Sequence, residues 1–296
     1  MTGLWAVFTV AASAGQTARN AMQRELAGSL GAVGATHVRF LFGFPFALMF
    51  LTGVYAITGE ALPNPNAVFW VWIMLGALTQ IAGTALMLLA MSERSFVVTV
   101  AYLKTEPVQV AVFGLVFLGD LLKLPTVAAI AAATLGVLLI SFKPGGEDKG
   151  WRPALLGLVA ATSFAFSAIG YRAAIISLAG TSFPMAASFS LAVGLTAQAI
   201  LLSAYLVWRD RAVLVAIVRL WKPSLFAGFM GALSSELWFL AFALTSAANV
   251  RTLALVEVLF AQATTHFVFK QKTSAREIAG IALVVAGCAL LVWSET

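Results

Sequence analysis

The sequence predicts an all-α membrane protein of ten transmembrane helices, arranged as two inverted five-helix repeats. Three observations carry that prediction. Hydrophobic residues make up 61% of the 296 and charged residues only 10%, against about 25% charged in a soluble domain. So few charges cannot cover a soluble surface of this size, and the mean hydropathy is +0.97. The chain also falls into ten apolar stretches, most of them near the ~20 residues that cross a hydrocarbon core. Finally, the longest charged loop, Lys143–Arg152, divides these stretches five and five. The period-2 alternation of a membrane β-barrel is absent.

Taken in order, the first span is Leu4–Asn20, with polar residues in its last half. It follows Met1-Thr2-Gly3 with no basic segment, so it reads as a span and not as a cleaved signal. Ala35–Ile57 follows, interrupted by Pro45, and then Ala67–Met91 and Ser95–Leu118. Pro125–Phe142 is short. Beyond the charged loop come Pro153–Ala174, Phe183–Trp208, Pro223–Leu244, Asn249–Phe269 and Ala275–Trp293. Pro125, Pro153, Pro184 and Pro223 sit in first turns, where a missing N–H costs nothing.

A shift of 151 residues lays Glu106 on Glu257, Trp70 on Trp221 and Gly136 on Gly287 without a gap. Ile130, Ala131 and Leu139 fall on Ile281, Ala282 and Leu290. The expected organisation is therefore a first repeat over 1–142, a cytoplasmic loop over 143–152 and a second repeat over 153–296. Five spans per repeat turn the second copy upside down, an arrangement typical of transporters. Loop charges set the orientation. Arg24, Arg94, Lys143, Lys149, Arg152, Arg209, Arg211, Arg219, Lys222, Lys270, Lys272 and Arg276 fall on one side, and only Lys123 and Arg172 on the other. Both termini are then expected outside, in the periplasm.

Other classes find little support. One cysteine, Cys288, leaves no internal disulfide. His37 and His266 are too few and too far apart for a zinc centre. No metal and no cofactor are expected. The net charge of +6 reflects short basic loops, so no nucleic-acid partner is expected. The expected partners are membrane lipid and a small-molecule substrate, and the chain works as a monomer or homodimer. Ala128–Ala133 and Gly280–Gly287 suit close helix packing, as scaffold or dimer contact. Trp5, Trp70, Trp151, Trp208, Trp221 and Trp293 stand near span ends, as interfacial anchors do.

The candidate site is read from charges inside apolar runs, where an ionisable group costs about 2.5–3.5 kcal/mol on insertion scales. Tyr102, Glu106, Gln109 and Phe113 share one face of the fourth span. Pro107 opens the backbone ladder one turn earlier. Lys104 projects from another face, toward a carboxylate on a different helix or out to the interface. Glu257 takes the matching place in the ninth span, and Glu236 lies beside Trp238 in the eighth. Gln16, Gln80 with Thr84, Ser163, Tyr171 and Gln198 supply milder polar faces. Glu106, Glu236 and Glu257 are candidate proton carriers, with a structural hydrogen-bonding role as the alternative. His37 and Arg39 open the second span near the cytoplasmic interface, in headgroup contact or as a gate.

The run Val100-Ala-Tyr-Leu-Lys-Thr-Glu-Pro-Val-Gln, then Leu118-Gly-Asp and Thr134-Leu-Gly-Val-Leu-Leu-Ile, resembles the EamA repeat. So does Leu253-Ala-Leu-Val-Glu-Val followed by Glu277-Ile-Ala-Gly-Ile-Ala-Leu-Val-Val-Ala-Gly, although Val258 stands where Pro is usual and Lys270-Gln271 also departs from the pattern. His37-Val-Arg-Phe resembles the opening of the family's second helix. The resemblance covers the whole chain and points to the drug/metabolite transporter superfamily, where the chain looks most like the YddG-type amino acid exporters. It implies ten helices in inverted repeats, alternating access, and export of aromatic and neutral amino acids and related metabolites across the bacterial inner membrane. Export of cationic drugs or carriage of nucleotide sugars are alternatives within the superfamily, with a membrane-embedded enzyme or channel as a remote one.

Overall fold

Gly31 decides how the chain begins. In the computed structural model, which describes residues 3–92, 102–141, 151–260, 262 and 274–295, helix α1 covers Leu4–Leu41, but Gly31 inside it has φ 68° and ψ 173°. Only glycine adopts that conformation readily. The chain reverses there. The Gln23 amide donates to the carbonyl of Ala35 at 3.1 Å, whereas a straight helix would hold residues so spaced about 18 Å apart at ~1.5 Å per residue. The range therefore holds two antiparallel arms. The first arm runs ten residues past the predicted end at Asn20, because Arg19 and Gln23 are buried and find partners inside the protein. The predicted second span is the second arm plus α2 (Phe44–Thr58), which has Pro45 in its first turn and Gly59 (φ 64°) as its stop.

The remaining elements follow in order. Helix α3 covers Ala67–Ser92. A turn at Lys104–Thr105 leads into α4 (Glu106–Phe113), which continues as a π-helix over Gly114–Leu118. Then come α5 (Leu124–Ser141), α6 (Trp151–Ser177), α7 (Phe183–Arg209) and a short α8 (Arg211–Arg219). Helix α9 covers Trp221–Leu244 and α10 covers Ala247–Leu253, passing into a 3-10 turn at Ala254–Val256. Helix α11 (Ala275–Ser294) starts on a Ser274/Glu277 capping box. Among the described residues, seven helical stretches are long and apolar enough to cross a membrane, and one of them, Leu4–Thr58, contains the reversal at Gly31. The apolar pattern did not announce α8, which is too short to cross and lies in a predicted connection. The expected loop over 143–150 and His266 lie outside the described residues.

Packing joins the halves of the chain. The three most extensive helix pairings are α3 with α6, α1 with α9, and α5 with α11. Exchanging the halves along the 151-residue shift turns the first pairing into the second and maps the third onto itself. Glycine makes these contacts possible. A Cβ on Gly136 would lie 2.6 Å from the Gly280 carbonyl oxygen, and one on Gly287 would lie 2.8 Å from that of Ala129. The small-residue faces thus meet each other within one chain. Trp5, expected as an anchor, is instead buried in this layer with Val137 and Leu291, whereas Trp208 and Trp293 are exposed.

The connections gather at two ends. At one, Glu60 accepts from Ser182, Arg172 lies 3.6 Å from Asp120, and Lys123 lies 3.8 Å from Glu295. At the other, the Gly31 reversal meets Tyr205, Arg209 and Val213.

Candidate functional site

Two interruptions in the helices create the site. The turn at Lys104–Thr105 precedes Glu106, and the 3-10 turn at Ala254–Val256 precedes Glu257. The 151-residue shift superposes them. Broken helices at matching places in two halves are where transporters build their binding sites. Pro107 has no N–H to lose in the first turn of α4, so the helix restarts there with Glu106 at its first residue. Between the halves lies a cavity of about 140 Å³, lined by residues of α1, α3, α4, α6, α9 and α10 and by the two turns.

One group of lining charges is matched. Arg251 donates from Nε and Nη2 to the two oxygens of Glu106, each at 2.6 Å. This bidentate geometry is the strongest form of a guanidinium–carboxylate contact. The same guanidinium lies 5.0 Å from the ring centre of Trp238. Lys104 forms an ion pair with Glu257, whose other oxygen accepts from the Gln16 amide at 3.1 Å. The predicted partner of Lys104 on another helix is therefore Glu257. Both pairs cross from one half of the chain to the other.

A second group of lining charges is unmatched. Arg19 and Arg39 are each 3% exposed. Arg19 donates to the Asn20 side-chain oxygen from Nε at 3.3 Å and from Nη2 at 2.7 Å. Arg39 donates to Thr84 at 3.4 Å and to Ser235 at 3.2 Å. Beside these charges, Tyr171 donates to Gln80 at 2.9 Å, and the Gln198 amide donates to Tyr171 and Gln80, both at 3.0 Å.

Of the residues singled out from sequence, Gln16, Gln80, Lys104, Glu106, Tyr171, Trp238 and Glu257 line the cavity. Thr84 and Gln198 support it from behind through the contacts just given. Glu236 does not line it: this carboxylate is buried and accepts from Ser188 of α7. Tyr102 is largely exposed, Gln109 donates to Thr105, and Ser163 is spent on the carbonyl of Val159 in its own helix. None of these three faces the cavity. His37 and Arg39 do not open their helix. The second arm of α1 begins just after Gly31, so both lie well inside it and are buried. His37 Nε2 is 3.1 Å from Ser203 Oγ, and Arg39 faces the cavity. Arg19 and Arg251 were not anticipated at all.

The family model of the EamA-like transporter family matches this sequence twice, over residues 1–142 and again over 151–293. No curated protein matches it. A solved structure described as "Crystal structure of protein" shares the fold, with a TM-score of 0.69 over 98% of this chain and 94% of that one, at 14% identity.

Proposed function

Because the chain belongs to the EamA-like transporter family, and is thus a multi-pass membrane protein, we propose that it exports amino acids and related small metabolites by alternating access through the central cavity. The observation that carries this reading is the cavity itself, which lies between the two halves and presents both charge signs beside the aromatic rings of Trp238, Phe239 and Phe242. A zwitterion with an apolar side chain asks for that combination. The volume of about 140 Å³ is near that of an engineered cavity, ~150 Å³, that holds benzene. A small metabolite fits on that scale, and a nucleotide sugar does not. Four cations against two carboxylates on the lining argue against a cationic drug.

The proposed architecture is two inverted five-helix repeats in the bacterial inner membrane, with the termini in the periplasm. The grouping of connections supports it, since every contact between connections named above joins segments that ten alternating crossings would put on one side. The end tied by Glu60–Ser182 and Arg172–Asp120 would then be the closed outer gate.

Counterflow in proteoliposomes tests the proposal. Vesicles preloaded with unlabelled L-phenylalanine should transiently accumulate the labelled compound with saturable kinetics. Glu106→Gln should insert normally and lose most of this flux. Absence of saturable counterflow across the neutral amino acids, or wild-type flux in the variant, overturns the reading.

A further inference from the structure

The geometry points to a subsite for the substrate's oxyanion, formed by Arg19 and Arg39, the two lining cations outside the ion pairs with Glu106 and Glu257. The inference deepens the transport reading above and rests on it for the identity of the ligand. Four cationic side chains line the cavity, and two of them, Lys104 and Arg251, have carboxylate partners. Arg19 and Arg39 have none among the described residues. Their hydrogen-bond partners are the neutral oxygens of Asn20, Thr84 and Ser235, which orient a guanidinium without neutralising it. Arg19 Nη1 and Arg39 Nε have no hydrogen-bond partner although both atoms are buried. An uncompensated buried charge is costly to keep, and inside a membrane span such a group is by default functional.

The two side chains act at one place. A Cβ on Gly231 of α9 would lie 3.1 Å from the Arg39 stem and 3.4 Å from the Arg19 stem. The glycine leaves room for two long cationic side chains to run side by side into the cavity. Paired guanidinium groups present planar donor forks that match a carboxylate or a phosphate. For an amino acid the carboxylate would sit here, with its side chain toward the rings of α9.

Three probes test the subsite on purified protein in nanodiscs: L-phenylalanine, L-phenylalaninamide and phenyl phosphate. Binding of L-phenylalanine should be saturable, and the amide should bind about tenfold more weakly or worse, as expected when charge-assisted bonds are lost. Arg19→Gln and Arg39→Gln should each weaken L-phenylalanine about as much, with Arg39→Lys restoring part of the loss. Without ligand, both Gln variants should melt no lower than wild type, because they remove an unpaired buried charge. Tighter binding of phenyl phosphate with the same arginine dependence keeps the oxyanion subsite and assigns it to phosphate. Equal binding of acid and amide overturns the subsite and needs no variant to fold. So does wild-type affinity in both Gln variants, or the absence of saturable binding by all three probes. Arginine-dependent binding without counterflow leaves the subsite standing and removes the transport reading. Normal counterflow in the arginine variants does the reverse.

Discussion

The two groups of charges that line the cavity use the same kinds of residue in opposite ways. In one group, Arg251 and Lys104 are each spent on a carboxylate from the other half of the chain. In the other, Arg19 and Arg39 hydrogen-bond only hydroxyl and amide oxygens among the described residues. A matched pair within a protein contributes cohesion and leaves little for a solute. An unmatched buried cation keeps its charge available to an anion. The difference separates clasp from binding site within one small volume, and it assigns opposite signs of stability change to substitutions of the same residue type.

The largest expected effect is at Arg251. Arg251→Gln leaves Glu106 buried without its bidentate partner, and breaking such a pair from one side costs about 3–5 kcal/mol. Thermal unfolding in detergent should show this loss, and the double variant with Glu106→Gln should recover most of it. The comparison breaks if Arg251→Gln is as harmless to stability as Arg19→Gln. Lys104→Met should cost less, about 1–3 kcal/mol, because Glu257 keeps the amide of Gln16 and the pair is partly open to the cavity.

A third substitution separates scaffold from cavity. Gly136→Val places side-chain atoms where the α11 backbone already lies, since even a Cβ would come within 2.6 Å of the Gly280 oxygen. Overpacking of this kind costs about 1–3 kcal/mol or more. It should lower the melting temperature while leaving the preference for acid over amide unchanged. A changed preference would mean that α5 and α11 take part in recognition.

How much of this was legible follows from where each charge stands. Glu106, Glu257 and Lys104 were conspicuous because they interrupt apolar runs. Their pairing was not, since each partner comes from the other half and no local periodicity reports it. Glu236 was equally conspicuous, but α9 is apolar on every side, so nothing in its period told the cavity face from the α7 face. Arg19, Arg39 and Arg251 fall within a few residues of predicted span ends, where arginine reads as a topology signal. One clue was available. Of the 18 lysines and arginines, the loop assignment leaves out Arg19, Arg39, Lys104 and Arg251, and these four line the cavity. The reversal at Gly31 stayed hidden because the polar residues Gln23, Arg24 and Glu25 look like the loop that the first arm in fact continues through.

The smallest effect, and the one that carries the comparison to the rim of the molecule, is at Glu60. This carboxylate in the connection after α2 accepts from the hydroxyl and the backbone N–H of Ser182, the residue at the N-cap position of α7. It supplies an anion to a helix N-terminus from the other half, a favourable placement. The Ser182 hydroxyl, and then its N–H, hold the Glu60 carboxyl below the usual carboxylate range. A lowered value in the folded protein means that the contact stabilises above the ordinary carboxylate pKa and is lost as pH falls through the lowered one. Wild type and Glu60→Ala should therefore differ in melting temperature near neutral pH and converge in acid. If this contact is also part of the outer gate, the variant should shift the balance between the two directions of counterflow while the affinity for L-phenylalanine stays put, because Arg19 and Arg39 are untouched. A change in affinity without a change in directionality would place Glu60 with the binding residues, and the division between clasp and site would then fail at the gate.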